Sequence, residues 1–335
     1  MKIVRYSPER FSDLCVVVEK MNRGHALAIE KLINHYYHDN SWCQLHLAIG
    51  DDSHSIVGTI GFESIPFLLN GKAISIGFGN NFHTLEEGCG GLLFMKWVRN
   101  QPYSMVYNCS KDTQKLTAAQ RWKQLEGIQS LSYNAPAYRN PRQSSFTHFL
   151  KTAIKRLLRK PPLQKIVERN DFLPHINVSV TEEKSFHPDM LEFESSFDFR
   201  VAPDLDYLNW RFSTNWNLFS YRIFSIKCSG EYRGFVVLHD TPNQVYIAHA
   251  DGSNPLELVK AELLALAQVS GKRPSFLCSS VPEITDHLNQ IGFRTNSAVP
   301  CVQFSSSLPI TEIKRPMINF AVGDNDLRTD FMHRS

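Results

Sequence analysis

Residues 83–97 read HTLEEGCGGLLFMKW, an extended polar stretch running into an apolar helix with Gly88, Gly90 and Gly91 crowded at the junction. A helix start offers N–H groups with no partner inside the helix, and glycine lets a ligand come close to them. Such a junction can therefore hold a phosphate. The same three glycines also suit a tight turn that binds nothing, so the surrounding chain has to decide.

Upstream, residues 44–62 (QLHLAIGDDSHSIVGTIGF) read as two strands about a polar Asp51-Asp52-Ser53 turn. Residues 67–78 (FLLNGKAISIGF) repeat the pattern around Asn70-Gly71, the dipeptide that best suits a type I′ turn. Before them, DLCVVVEKM (13–21) and HALAIEKLINHYY (25–37) carry helical spacing. After the glycines come the helix LLFMKWVRN, the short strand SMVYNCS (104–110) and a helix over TAAQRWKQLEG (117–127). The last third repeats the order. YRIFSIKCSG and EYRGFVVLHD form a hairpin about Gly230, and VYIAHADG is a strand. Asn254-Pro255-Leu256-Glu257 then opens a helix with a cap, a first-turn proline and a glutamate three after the cap. PSFLCSS, PEITDHLNQI and VPCVQF follow as strand, helix and strand.

At 335 residues, with 42% hydrophobic and 21% charged residues, the chain is an ordinary globular protein long enough for two domains. Its seven cysteines are scattered without a CxxC pair, which indicates neither a disulfide framework nor a zinc ribbon. The opening MKIVRYSPERF has no signal-peptide hydrophobic run, and no stretch approaches 18 apolar residues, so a cytoplasmic protein is expected. A net charge of +3 is too small to point to nucleic acid as a partner. Between Glu126 and Glu168, however, there is no acidic residue but eight Lys and Arg, together with Pro136, Pro141, Pro161 and Pro162. This basic linker contains SSFTHFLKTAIKRLLRK, whose Phe146, Phe149, Leu150, Ala153, Ile154, Leu157 and Leu158 share one helical face. A basic amphipathic helix over 146–160 either docks on a domain or meets a peripheral membrane surface or an acidic partner.

Antiparallel strands followed by strand, helix, strand and helix, twice over, resemble the GNAT (N-acetyltransferase) superfamily in tandem. The resemblance covers roughly residues 1–135 and 195–305. In LEEGCGGLL (85–93), Gly88 and Gly90 match the two small positions of that family's signature, while Leu85 stands where its Arg or Gln belongs. In the second half, DLDYLNWRF (204–212), LNQIGF (288–293) and GDND (323–326) look like tandem members linked to polysaccharide and cell-envelope biosynthesis. HADGSNPLEL (249–258) has one glycine at the equivalent junction, so this half is expected to be degenerate. The implied fold class is α/β (α+β). It comprises two GNAT-like domains, each a mixed, mostly antiparallel sheet flanked by helices: 1–140 binding acyl-CoA, a basic linker over 141–170, and 171–335.

The resemblance further implies that acetyl-CoA or another acyl-CoA serves as co-substrate and lies between two splayed strands. Its pyrophosphate would meet the backbone of Gly88, Cys89, Gly90, Gly91, Leu92 and Leu93. The thioester would lie beside Phe82, His83 and Thr84, and Asn108 is a further cofactor-binding candidate. Acyl transfer to an amine needs a base, an oxyanion donor and a proton source for the departing thiolate. Glu63 and His83 are the candidate bases. Trp122 falls near the family's usual tyrosine, so Cys109 or Ser110 is the candidate proton donor. Glu87 places a negative charge at the cradle. HYYH gives His35 and His38 the spacing of helical metal ligands, and Asp324 and Asp326 could face a cation, but no ligand set follows and no metal is expected. The expected activity is N-acylation of a small-molecule amine, such as an amino sugar or envelope precursor. The alternatives are a Fem-type aminoacyl transferase using charged tRNA, supported by the basic block, and a GNAT-fold binding protein without catalysis. The oligomeric state does not follow from the sequence.

Overall fold

The computed structural model describes residues 1–20, 26–51, 55–133, 163–168, 173–215, 219–241, 244–269, 273–279, 281–295 and 301–318. The chain opens with β1 (Lys2–Arg5), α1 (Phe11–Lys20), α2 (Glu30–Tyr37), β2 (Cys43–Ile49), β3 (Ile56–Leu69) and β4 (Lys72–Thr84). It continues through α3 (Cys89–Arg99), β5 (Tyr103–Tyr107), α4 (Lys111–Ala119), β6 (Lys123–Gln124) and β7 (Gln129–Tyr133). Then come α5 (Leu163–Glu168), β8 (Ser179–Glu183), α6 (Pro188–Leu191), β9 (Phe199–Val201) and α7 (Leu205–Arg211). The remainder is β10 (Tyr221–Cys228), β11 (Glu231–Asp240), β12 (Gln244–Gly252), α8 (Pro255–Ala267), β13 (Arg273–Ser279), α9 (Pro282–Gln290), β14 (Phe293–Thr295) and β15 (Val302–Phe304).

These strands make two mixed, mostly antiparallel sheets. The first has the order β1-β2-β3-β4-β5-β15-β6 with β9 also on β3, and the second the order β14-β7-β13-β12-β11-β10-β8. Asn70 and Gly71, both at positive φ, turn β3 into β4, and Ser229 and Gly230 do the same for β10 and β11. The helix expected over 117–127 instead occupies Lys111–Ala119, capped by Ser110. Arg121 at φ 56 ends it, and Trp122 tucks its ring against Phe94 and Trp97.

The sheets exchange strands. β7 precedes the basic block yet pairs with β13 and β14 in the second sheet. β15 comes from near the end of the chain yet pairs with β5 and β6 in the first. A single buried apolar cluster runs from Tyr6, Leu32 and Tyr37 through Tyr207, Leu208 and Phe212 to Phe235 and Val302. The second sheet packs α8 and α9 over a separate cluster, and α3 covers the first sheet through Phe94 and Trp97. The helix expected over 146–160 and the GDND stretch lie outside the described residues. Among the described residues, no helix is long and apolar enough to cross a membrane.

Candidate functional site

The site forms where β4 and β5 part. They pair in parallel from Ile76–Tyr103 to Phe78–Met105 and no further. β4 then stays with β3 as far as Thr84–Gly58, while β5 stays with β15 as far as Tyr107–Val302. The result is a V open toward the start of α3. A bulge interrupts β4 inside the V: pairing jumps from Thr59–His83 to Gly61–Asn80, with Asn81 at φ 47 and Thr59 Oγ1 donating to its carbonyl at 2.8 Å. Such bulges bend a strand and re-aim its neighbours, and they recur beside active sites.

The glycine cluster sits at the mouth of the V. Gly88, at φ 84, is the N-cap of α3 and supplies no capping side chain. The first-turn N–H groups of α3 therefore stay available to an anion. A Cβ on Gly91 would meet no described residue within 4 Å, so among the described residues the approach to those amides is open. A Cβ on Gly90 would lie 3.2 Å from Thr84 Cγ2, so glycine lets the helix start close against β4. Cys89 and Leu93 turn inward: Cys89 Sγ meets Val57 O at 3.5 Å, and both side chains crowd Gly58. Their contribution to a ligand is confined to the backbone. Leu85 (39% exposed) and Leu92 (53% exposed) stand outward, and Glu86 and Glu87 are also exposed.

The other expected residues divide. Phe82, His83 and Thr84 lie together on the free end of β4, with Phe82 and His83 half-buried. Asn108, across the V at φ 46, takes the N–H of Cys301 on Oδ1 and gives its own N–H to Cys301 O. Its side chain thereby fixes the end of β5. Ser110 Oγ accepts from Thr113 N as the α4 cap and contacts Thr113 Oγ1. Cys109 lies beside Gln303; burial, then the neighbouring Cys301, push its thiol up to about 11. At neutral pH it is a protonated thiol.

Glu63 is elsewhere. It is 1% exposed and set against Arg211 Nε at 3.3 Å, and it accepts from Tyr207 Oη at 2.7 Å. Arg211 also donates to Tyr221 Oη at 3.1 Å. Glu63 thus anchors a buried network between β3 and α7. Using it as a base would mean dismantling a desolvated ion pair. His35 stacks on Trp210 at 5.9 Å, and burial lowers it to about 4. Among the described residues no three potential metal ligands come together.

The corresponding place in the second sheet is built differently. β12 pairs with β13 only from Gln244 to Ile247 and runs on to Gly252, so a second V exists. Residues 195–200 lie along it: Ser196 N donates to Gly252 O, Ser195 Oγ donates to Asp251 at 2.7 Å, and the Arg200 guanidinium pairs with the same carboxylate. Helix α8 is capped by its own chain. Asn254 Oδ1 accepts from Leu256 N and Glu257 N, and Pro255 has no N–H to offer.

The sequence signals above do not single out Asn80, Asn81 or Arg211. Two adjacent asparagines inside an otherwise strand-like run were the available sign of the bulge, because asparagine is disfavoured in regular strands. The Arg211 partnership crosses the molecule and leaves no local trace.

No family model and no curated protein matches this sequence. Solved structures do. A GCN5-related N-acetyltransferase from Anabaena variabilis superimposes with a TM-score of 0.58 at 10% identity, over 90% of this chain and 72% of that one. A GCN5-related N-acetyltransferase from Kribbella flavida gives 0.55 at 13% identity, over 90% and 71%. The Saccharomyces cerevisiae N-myristoyltransferase with bound myristoyl-CoA gives 0.52 at 9% identity, over 98% and 87%. The chain has the GNAT fold. Within that fold, the V at β4 and β5 with an uncapped glycine helix start is the candidate site.

Proposed function

We propose that the chain is an acyl-CoA-dependent N-acyltransferase of two GNAT-like domains, the first of which binds acyl-CoA and acylates a small-molecule amine. The observation that carries this reading is the first V: parted strands, a bulge between them, and an α3 start left uncapped by Gly88 and open at Gly91. The myristoyl-CoA bound to the yeast neighbour supports an acyl-CoA as the co-substrate class. On this reading the amides of Gly88, Cys89, Gly90 and Gly91 take the pyrophosphate, and Leu92 and Leu93 carry the helix onward from it. The thioester lies along Phe82, His83 and Thr84, where strand N–H groups stabilise the developing oxyanion.

His83, half-buried at the cleft, is the base that takes the amine proton, directly or through water. The protonated Cys109 thiol suits the return of a proton to the departing thiolate better than nucleophilic attack, because a thiol held near 11 yields little thiolate at neutral pH. The resemblance to envelope-linked proteins suggests an amino sugar or related precursor as acceptor.

A GNAT-fold binding protein without turnover is the second reading. It is favoured by Trp122, packed where a proton-donating tyrosine would be expected, and by the sequestered Glu63. Thiol release from acetyl-CoA across a panel of amines separates the two. The enzyme reading expects amine-dependent release that disappears in His83→Ala. Binding of CoA without release from any amine would favour the binding protein. Transfer of a labelled amino acid from aminoacyl-tRNA to the same amines, which frees the tRNA hydroxyl rather than a thiol, tests the Fem-type alternative.

A further inference from the structure

The bulge in β4 sends two consecutive side chains to one place. Tyr37 Oη, from α2, donates to Asn80 Oδ1 at 2.8 Å and accepts from Asn81 Nδ2 at 2.6 Å, and Asn81 Nδ2 also reaches Asn80 Oδ1 at 3.4 Å. The three are 1%, 5% and 4% exposed, a hydrogen-bonded polar plug on the α2 face of β4, beside Gly61 of β3. Below it the V closes on Phe78 and Met105, both buried.

Glycines near the apex could have left a slot for an alkyl chain, but side chains fill each one. A Cβ on Gly61 would fall 2.2 Å from Asn80 Oδ1 and 2.7 Å from Tyr37 Oη. On Gly77 it would fall 2.3 Å from Gln101 Cγ, and on Gly79 2.7 Å from the Trp97 ring. The polar plug closes one face of β4, and α3 with the turn after it closes the other.

We propose that Tyr37, Asn80 and Asn81 determine acyl-chain length, stopping the acyl group a short way past the thioester and excluding medium and long fatty acyl chains. This rests on the acyl-CoA reading above. A tail running from a thioester beside Phe82 toward the apex meets Asn81 and Asn80 first. To pass, it must pull their amides from Tyr37 and leave them facing hydrocarbon. Stranding one buried polar group lowers affinity by about tenfold, and two compound the loss.

The test is calorimetric titration of the intact protein with CoA, acetyl-CoA, butyryl-CoA and octanoyl-CoA, repeated on Asn80→Ala and Asn81→Gly. Glycine at 81 accepts the positive φ, so the second variant keeps its backbone if the first folds poorly. In the unaltered protein, CoA and acetyl-CoA should bind alike and octanoyl-CoA about tenfold or more weakly. Either variant should recover most of that loss for octanoyl-CoA and leave CoA itself unchanged. Octanoyl-CoA binding as tightly as acetyl-CoA to the unaltered protein would overturn the proposal, as would a penalty that neither variant relieves. Absence of binding by CoA itself would instead overturn the acyl-CoA reading, and the chain-length proposal would fall with it.

Discussion

Replacing Arg211 with methionine removes one member of the buried pair that ties α7 to β3. Its side chain is 0% exposed and that of Glu63 1%, at 3.3 Å. The remaining carboxylate would keep the Tyr207 hydroxyl but lose its counter-charge with no water to replace it. Breaking a desolvated pair from one side costs about 3–5 kcal/mol, whereas an exposed pair is worth about 0–1 kcal/mol. A loss of the larger size is a substantial part of a domain's stability of about 5–15 kcal/mol. Removing both charges, in Glu63→Gln with Arg211→Met, should recover more than half of it, because the cost lies in the stranded charge rather than in the missing attraction. Urea unfolding followed by tryptophan fluorescence reads this directly, since Trp42 and Trp210 both pack on Tyr207. A loss below about 1 kcal/mol for Arg211→Met would show the pair to be hydrated and would refute a sealed core shared between the sheets.

Glu262 is buried on α8 among apolar groups, neither carboxyl oxygen has a hydrogen-bond partner among the described residues, and burial pushes the group well above the usual carboxylate range. Folding thus disfavours its ionisation, which the unfolded chain undergoes above about 4.5, so it costs stability as pH rises; Glu262→Leu should raise Tm, more at pH 7.5 than at 4.5, and a uniform or opposite shift would contradict this. His249 stacks on Phe212, and burial, then Arg200 and Arg211, hold it at about 3. The unfolded chain takes up this proton below about 6.5 and the folded one does not, so acid destabilises the protein through His249. His249→Phe should gain on the unaltered protein in Tm as pH falls from 6.5 toward 4, and a gap independent of pH would count against it. Fragments 1–140 and 170–335 expressed separately should each melt well below the intact chain, because each lacks a strand that the other supplies; two soluble monomeric fragments melting with the whole would show the exchange to be minor.

Local chemistry made much of the fold legible. Asn70-Gly71 and the turn at Ser229-Gly230 need positive φ, Asn254 with Pro255 starts α8, and the glycine cluster does open α3, each decided by residues within a few positions. Where neighbours decide, the sequence misleads. TAAQRWKQLEG has helical composition, but Trp122 is drawn into the aromatic packing of Phe94 and Trp97 and the helix ends before it. The exchange of β7 and β15 depends on which sheet edge lies open, and a five-residue and a three-residue strand carry no address for that. The candidate site was visible as a phosphate-compatible junction. Its polar plug was not, because Tyr37 and the Asn80-Asn81 pair are more than 40 positions apart and meet only once α2 lies over the bulge.

The most direct test is calorimetric titration of acetyl-CoA into the intact protein and into Gly90→Asp. The added carboxylate would press on Thr84 and put a negative charge among the amides of the α3 start. The expected result is one site per chain, because Asn254 and Pro255 cap α8 and residues 195–200 lie along the second V, with affinity reduced at least tenfold in the variant while its melting temperature stays close to that of the unaltered protein. No heat of binding, two sites per chain, or equal affinity in Gly90→Asp would contradict an acyl-CoA site at the first V.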